Sequence, residues 1–465
     1  MPAPSSTAYP RGTLAAISTA LFCVQIDYFA MNLALPRMAA ELGDSATDLQ
    51  WVISIYMLVL GAFMVPAGRI GDIFGRKRAL LTGIALFGVA SVMCALATSA
   101  EAVIAFRAMQ GLGAALIFPV SVSVLTNALP AARAGHAIGL AYGIAGLGNA
   151  AGPLVGGLLT ETVGWRWIFW LNVPLTVLAL TLGARSITES SDDAAPRRID
   201  VAGLALITFG IGLFTVTFDR APSWGWLSPP TVGAFVGALL LLAAFVFVER
   251  RVRTPLVELA LLRDPRFSVL VLAGTVANIA YGVTIFLSTM YLQEVRGLDP
   301  LMAGLAFLGP SAGAALGGAL SGRLAAKASP VLVMGFTTML AAVSLAALSA
   351  SNGWVAYLPA LTACGFTMGL VYAFTTVATQ AVVRPERAGE AAGIALTALV
   401  TMAGVGVAAS STILEVLQAT GTAEGAAIDA ILAVLAGLLL PAGAVVLVIA
   451  RRRTATELPN VTGQP

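Results

Sequence analysis

Residues 139–157 read GLAYGIAGLGNAAGPLVGG. The run is apolar and of helix length, yet it is built largely from residues that weaken a helix in water. Gly148, Gly152 and Gly156 recur every four residues and so share one helix face. Gly135, Gly139 and Gly143 form a similar stripe one segment earlier. Pro153 lacks a backbone donor and predicts a kink just after Gly152. In a bilayer, small residues at this spacing let two backbones approach closely. The stretch therefore reads as a packing helix inside a membrane protein, and most of the chain as what surrounds it.

Composition agrees. The chain of 465 residues is 58% hydrophobic and 11% charged, with a mean hydropathy of +0.91, far from soluble usage. Apolar runs of about 20 residues, the length that spans hydrocarbon, repeat from one end to the other. They are continuous and not alternating, which argues against a β-barrel. Cys23, Cys94 and Cys364 all fall inside these runs and read as small apolar fillers, not as a disulfide framework or metal site. His136 is the single histidine and cannot form a metal cluster alone. Arg11 precedes the first run, but that run holds Asp27 and Asn32 and continues to Leu35, longer than a signal-peptide core, so it reads as a retained span.

Polar and charged breaks divide the chain into fourteen predicted spans: 13–36, 50–68, 79–98, 102–128, 136–160, 167–185, 200–218, 231–248, 267–292, 301–321, 330–350, 354–380, 390–414 and 427–450. An even number puts both termini on one side. Of the 26 lysines and arginines, 21 fall on the side of the termini and four (Arg37, Arg166, Arg220 and Arg296) opposite, while Arg107 lies within a span. The positive-inside rule then places both termini in the cytoplasm of a cell whose plasma membrane holds the protein.

An internal repeat is visible. Arg133-Ala-Gly-His-Ala-Ile-Gly139 resembles Arg387-Ala-Gly-Glu-Ala-Ala-Gly393, an offset of 254 residues, and Gly68-Arg69 and Gly111 match Gly322-Arg323 and Gly365 at the same offset. The repeat pairs spans 1–6 with spans 9–14 in parallel orientation, leaving spans 7 and 8 as an insert. The expected fold is an all-α integral membrane protein of 14 transmembrane helices: an N-terminal six-helix half (1–186), a two-helix insert with charged cytoplasmic connectors (187–265) and a C-terminal six-helix half (266–465). Two parallel halves about an axis along the membrane normal form the architecture of alternating-access transporters.

A charge deep in a span costs several kcal/mol and marks a functional candidate. Asp27 is the one deep carboxylate in this reading; Glu161, Asp219, Glu294 and Glu415 lie at span ends, where water reaches them. Arg107 is the one deep cation, and its long side chain can reach towards Asp27. Burial disfavours the charged carboxylate whereas a nearby guanidinium favours it, and a group balanced between the two can exchange a proton. The alternative is a static pair that only fixes packing. In the loop GRIGDIFGRKRALL, from Gly68 to Leu81, glycines permit a tight turn and Asp72 can cap or face the N-terminus of span 3. Gly68, Gly71, Asp72, Gly75, Arg76 and Lys77 read as a conformational latch, or more plainly as a positive-inside anchor. Helix packing is likewise the plain alternative for the glycines of span 5.

Together these motifs resemble the fourteen-helix drug:proton antiporters of the major facilitator superfamily, over the whole chain including the insert. GRIGDIFGRKRALL is similar to the superfamily's loop 2–3 signature, and FRAMQGLGAALIFP, with Arg107, Gln110, Gly111 and Gly113, to its span 4 motif. Gly139, Gly148, Gly152-Pro153 and Gly156-Gly157 match the span 5 antiporter motif at every fixed position. IDYFAMNLALP resembles the span 1 motif, with Asp27, Asn32 and Pro36, and WRWIFWLNVP the start of span 6. Phe29 stands where that span 1 motif usually has Thr, and the second-half loop SGRLAAKASP lacks an acidic residue.

The resemblance implies multidrug or antibiotic efflux driven by the proton motive force. Asp27 and Arg107 would carry the proton coupling, and Gly148, Gly152, Pro153 and Gly156 would pack span 5 tightly against the opposite half to seal the pathway. Tyr28, Asn32, Tyr56, Gln110, Phe118, Tyr142, Tyr281, Phe286 and Tyr372 are the expected lining of a substrate cavity, where aromatics suit amphipathic molecules. With one deep acid, monovalent cationic, zwitterionic or neutral compounds are expected. The expected partners are a small organic substrate, protons and the lipid bilayer, with no nucleic acid, no cofactor, and a monomer as the working unit. An importer or symporter of a small metabolite shares the architecture, and span 5 argues against it. An enzyme would need clustered carboxylates, metal ligands or a nucleophile with its base; Asp192-Asp193 has no such neighbours. No GxxxxGK[ST] appears, which argues against a pump driven directly by ATP.

Overall fold

A computed structural model describes residues 11–31, 34–43, 49, 51–191, 200–252, 255, 257, 259–298, 300–325, 327–351 and 353–456. In the first half the long helices are α1 (Arg11–Met31), α2 (Trp51–Phe74), α3 (Arg76–Leu96), α4 (Ala100–Ala128), α5 (Ala131–Thr162) and α6 (Arg166–Ser186). An insert follows, α7 (Val201–Trp224) and α8 (Pro229–Glu249). The second half contains α9 (Pro265–Met290), α10 (Leu308–Ala325), α11 (Pro330–Ser349), α12 (Trp354–Ala381), α13 (Ala388–Ala419) and α14 (Glu424–Thr456). By length and composition, 13 described helices can cross a membrane, and the bent α5 makes the count 14.

Helix ends follow local chemistry. Ser99 accepts from the Ala102 amide to start α4, and Ser228 does the same for Thr231 ahead of the Pro229-Pro230 start of α8. Both are side-chain caps of otherwise orphaned amides. The two arms of α5, Arg133–Asn149 and Leu154–Thr162, meet at a bend of 40°. The bend spans Gly152-Pro153, where the proline has no N–H to continue the ladder. Span 1 is shorter than expected: α1 ends at Met31 and a separate helix, Leu35–Leu42, follows.

The repeat is visible in the packing. In the first half α1 lies on α5 and α6, α2 on α4, and α3 on α4 and α6; in the second, α9 lies on α13 and α14, α10 on α12, and α11 on α12 and α14. Even single contacts repeat. Gly111 of α4 lies against the carbonyl of Tyr56, and Gly365 of α12 against the carbonyl of Pro310, both members of the second contact being 254 residues after those of the first. A side chain at either glycine would strike backbone that cannot move aside.

The halves meet along two seams, α2 against α13 and α5 against α10, and α7 of the insert lies over the first seam, touching both α2 and α13. Helix α8 packs on α7, burying only Thr231, Ala238, Phe245 and Glu249 and leaving residues such as Leu240 for lipid.

Candidate functional site

Asp27 and Arg107 meet. Arg107 Nη1 donates to Asp27 Oδ2 at 2.5 Å, and both side chains are fully buried. Asn172 of α6 donates to the other carboxylate oxygen at 2.7 Å. The same Arg107 nitrogen donates to Gln110 Oε1 at 2.9 Å, and Arg107 Nε to the Val52 carbonyl of α2 at 2.9 Å. Gln110 Nε2 in turn donates to Ser91 of α3 at 2.7 Å. The Tyr56 ring lies 4.3 Å from the guanidinium carbon, a cation–π contact within a desolvated site. Buried charges are tolerated when paired and hydrogen-bonded, and here five helices of the first half contribute to one pair. Asn172 is the partner that sequence reasoning does not single out, although it lies within WRWIFWLNVP.

Beside this network is a cavity of about 710 Å³ between the halves. Of the expected lining, Tyr28, Phe118, Tyr281, Phe286 and Tyr372 do line it. Three others do not. Tyr56 is fully buried behind Tyr28, with the two rings stacked 6.0 Å apart, and Gln110 is buried in the ion-pair network. Tyr142 is buried, with its ring 5.5 Å from that of the lining residue Tyr372. Asn32 lies outside the described residues. Hydropathy locates a residue along a span but not its rotation about the helix axis, which decides lining. Phe29, Ser54, Asn149, Phe218, Asp219 and Asn278 are lining residues that the sequence does not reveal. The sequence also makes Asp27 the one deep carboxylate. Asp219 nonetheless faces the cavity from α7, and Asp72 and Glu390 are buried at helix ends. A span end is not a solvated place when another helix covers it.

The loop after α2 is a junction between halves. Asp72 does not cap α3. It sits in the last turn of α2, and its Oδ2 accepts from the Glu390 amide of α13 at 2.9 Å. Glu390 is the third residue of α13, so Asp72 caps a helix of the other half and meets the positive end of its dipole. Arg76 Nε donates to Asp72 Oδ1 at 2.8 Å and to Ser123 at 2.7 Å, while its Nη2 reaches the Glu386 carbonyl at 2.7 Å. Asn127 Nδ2 donates to the Pro385 carbonyl at 2.8 Å, and Arg69 lies 3.9 Å from Glu390. The N-terminus of α3 is capped by Glu189, which accepts from the Lys77 and Arg78 amides at 3.0 and 3.2 Å. Lys77 Nζ donates to the Ala184 carbonyl, so this side chain ties α3 to α6 within the first half. Gly75 has φ 115° with the Glu189 carboxylate 2.8 Å from where a Cβ would stand, a position only glycine fills without strain. Gly68 lies directly on the Gly389 carbonyl, and Gly71 on Val120 of α4.

The glycines of α5 split between two partners. Gly148, Gly152 and Gly156 do not meet the opposite half: they lie on α1, against Phe22, Gln25, Phe29 and Ala30. The earlier stripe makes the crossing. Gly139 lies against Ser321 and Gly322 of α10, and Gly143 against Ala315 and Ala319. Gly157 is half-buried. One helix thus touches the Asp27-bearing helix with one stripe and the other half with the next.

Comparison with known proteins places this geometry. The Major Facilitator Superfamily family model matches residues 17–409. The tetracenomycin C resistance and export protein of Streptomyces glaucescens is 32% identical over 427 residues, covering 90% of this chain and 78% of that protein. The puromycin resistance protein pur8 of Streptomyces alboniger is 32% identical over 431 residues, covering 90% and 85%. The multidrug resistance protein Stp of Mycobacterium tuberculosis is 33% identical over 389 residues, covering 82% and 72%. Among solved structures, the human organic anion transporter MFSD10 (TETRAN) superposes with a TM-score of 0.68 at 12% identity, over 95% of this chain and 100% of that one, a likeness of fold. The chain belongs to the major facilitator superfamily, in its drug- and antibiotic-efflux family.

Proposed function

We propose that this protein exports small amphipathic organic compounds from the cytoplasm in exchange for protons, across the plasma membrane, with both termini cytoplasmic. The observation that carries the reading is the dry Asp27–Arg107 pair one layer behind a largely aromatic and aliphatic cavity. The names of three relatives, each a resistance or export protein, support the substrate class. The latch joins the halves at the basic face, while the cavity is lined by the segments of α2, α7, α9 and α13 nearer the opposite face; this arrangement is read as the outward-facing state. The working units are residues 1–186, 187–265 and 266–465.

Protonation of Asp27 removes the carboxylate's charge and leaves the Arg107 guanidinium buried without its counter-ion, a state that costs about 3–5 kcal/mol when a buried pair is broken. The strain falls on α1 and α4, and α1 bears on the Gly148–Gly156 stripe of α5. The other stripe of α5 bears on α10, and Gly148 shares with Gly139 and Gly143 the arm before the bend, so a shift of α1 reaches the seam between halves through that arm. Movement of the proton through the field adds about 2.3 kcal/mol per 100 mV.

The test is Asp27→Asn in inside-out vesicles. Drug movement driven by an imposed pH gradient should be abolished, with the amount of protein in the membrane unchanged. Retained gradient-driven transport would remove Asp27 from the coupling role. Uptake into the cytoplasm in place of export would favour the importer.

A further inference from the structure

The inserted helices have no counterpart in the 254-residue repeat, yet α7 forms part of the cavity wall. Its lining residues are Thr215, Phe218, Asp219 and Pro222. Their i, i+3, i+4, i+7 spacing makes one continuous face of a helix. The helix is held on both sides: Ser54 of α2 donates to Asp219 Oδ1 at 3.1 Å, and Trp226, just past α7, donates to Thr412 of α13 at 2.7 Å. Asp219 is the only acidic or basic side chain, among the described residues, that lines the cavity.

Its carboxylate is available. The side chain is 39% exposed, against 14% for the neighbouring Arg220 with which it forms an ion pair. Arg220 Nε stands 3.4 Å from Asp219 Oδ2 without hydrogen-bond geometry, and its guanidinium is stacked 4.1 Å over the Trp51 ring. The rest of the wall is mainly aromatic and aliphatic, with Tyr28, Phe29 and Phe218 on the same cavity. In a low-dielectric cleft with one exposed charge, that charge sets which ligands are concentrated there. Asp27 cannot serve this purpose, because its oxygens are buried and already take Arg107 and Asn172.

We infer that Asp219 receives the positive end of a cationic amphipathic substrate, with the aromatic wall taking its apolar body, so that the insert supplies the transporter's charge selectivity. The inference rests on the export reading. It gives two acids different work, Asp27 handling the proton and Asp219 the cargo.

Two probes test it, the singly charged lipophilic cation tetraphenylphosphonium and the uncharged amphiphile Nile red. In Asp219→Asn the half-saturating concentration for the cation, relative to that for Nile red, should rise about tenfold, the scale of one lost charge-assisted contact. Asp219→Glu should restore most of the ratio. Unchanged or equally shifted values for both probes would overturn the inference. The same ratio is measured by direct binding to purified protein without any gradient. A wild-type protein that binds both probes but moves neither would count against antiport and leave the binding result on Asp219 standing.

Discussion

The two seams between the halves are built from the same backbone and different chemistry. Gly393 of α13 lies on the Met64 carbonyl of α2, and Gly139 of α5, 254 residues earlier, lies on Gly322 of α10. Both approaches are so close that a methyl group would meet main chain. Beyond that the seams diverge. The α2–α13 seam adds a capping carboxylate and two carbonyl-directed donors, its partner Arg76 and Asn127. At the α5–α10 seam the contacts are glycine against glycine and small side chains, with His136 over Gly322. The second-half loop, SGRLAAKASP, has no acid with which to copy Asp72. One seam is therefore gated by charge and shape together, and the other principally by shape.

The comparison breaks most severely if a bulky group enters the shape-dependent seam. Gly139→Leu places a Cβ 2.9 Å from the Gly322 amide nitrogen and 3.1 Å from the Gly318 carbonyl oxygen, neither of which can rotate away. Transport in vesicles should fall at least about a hundredfold at retained expression, since overpacking costs roughly 1–3 kcal/mol where neighbours yield and more where they do not. Gly393→Leu should match it. Near-normal export by either variant would mean that its seam does not close during the cycle.

Asp72→Asn should separate the seams. It leaves Arg76 buried without its partner, at a cost of about 3–5 kcal/mol to the latched state. A cysteine replacing Ser121, buried between the cavity and the latch, should become reactive to an impermeant thiol reagent added at the basic face. The native thiols Cys23, Cys94 and Cys364 are buried and form a low background. Unaltered labelling would show that α2 and α13 are held by glycine packing alone.

Arg69→Gln is the mildest test. Its pair with Glu390 is long, at 3.9 Å, and Arg69 keeps 12% exposure. Loss of transport should stay below that of Asp72→Asn and, because the pair is largely buried, change little as salt is raised. An effect as large as that of Asp72→Asn would redraw the latch around Glu390.

How far the sequence carries these conclusions depends on the kind of signal. Span number, the repeat and the Asp27–Arg107 encounter are legible because hydropathy and a lone charge are properties of position along the chain. The facing of Tyr56, Gln110 and Tyr142 is not, since a rotation of one residue, about 100°, turns a lining residue into a buried one. Asp219 escapes notice when a span end is equated with bulk water. The second partner of Asp27 is hidden for a related reason: asparagine is uncharged, so Asn172 stands out in no count. The glycines of α5 are legible as close contacts but not as contacts to particular helices, because GxxxG spacing names a face and leaves its partner open.

The ion pair has a consequence for biogenesis. Asp27 and Arg107 are separated by 80 residues of chain. At 5–20 residues per second, α1 is made roughly 4–16 s before its counter-ion exists. During that interval a carboxylate about one turn from the end of a lone helix carries an insertion penalty, at most the about 2.5–3.5 kcal/mol of a helix centre. Helix α1 therefore has reason to wait at the mouth of the translocon, or to enter as the neutral acid, until α4 emerges. The residue assigned to moving protons in the finished transporter would then also time the assembly of its first six helices.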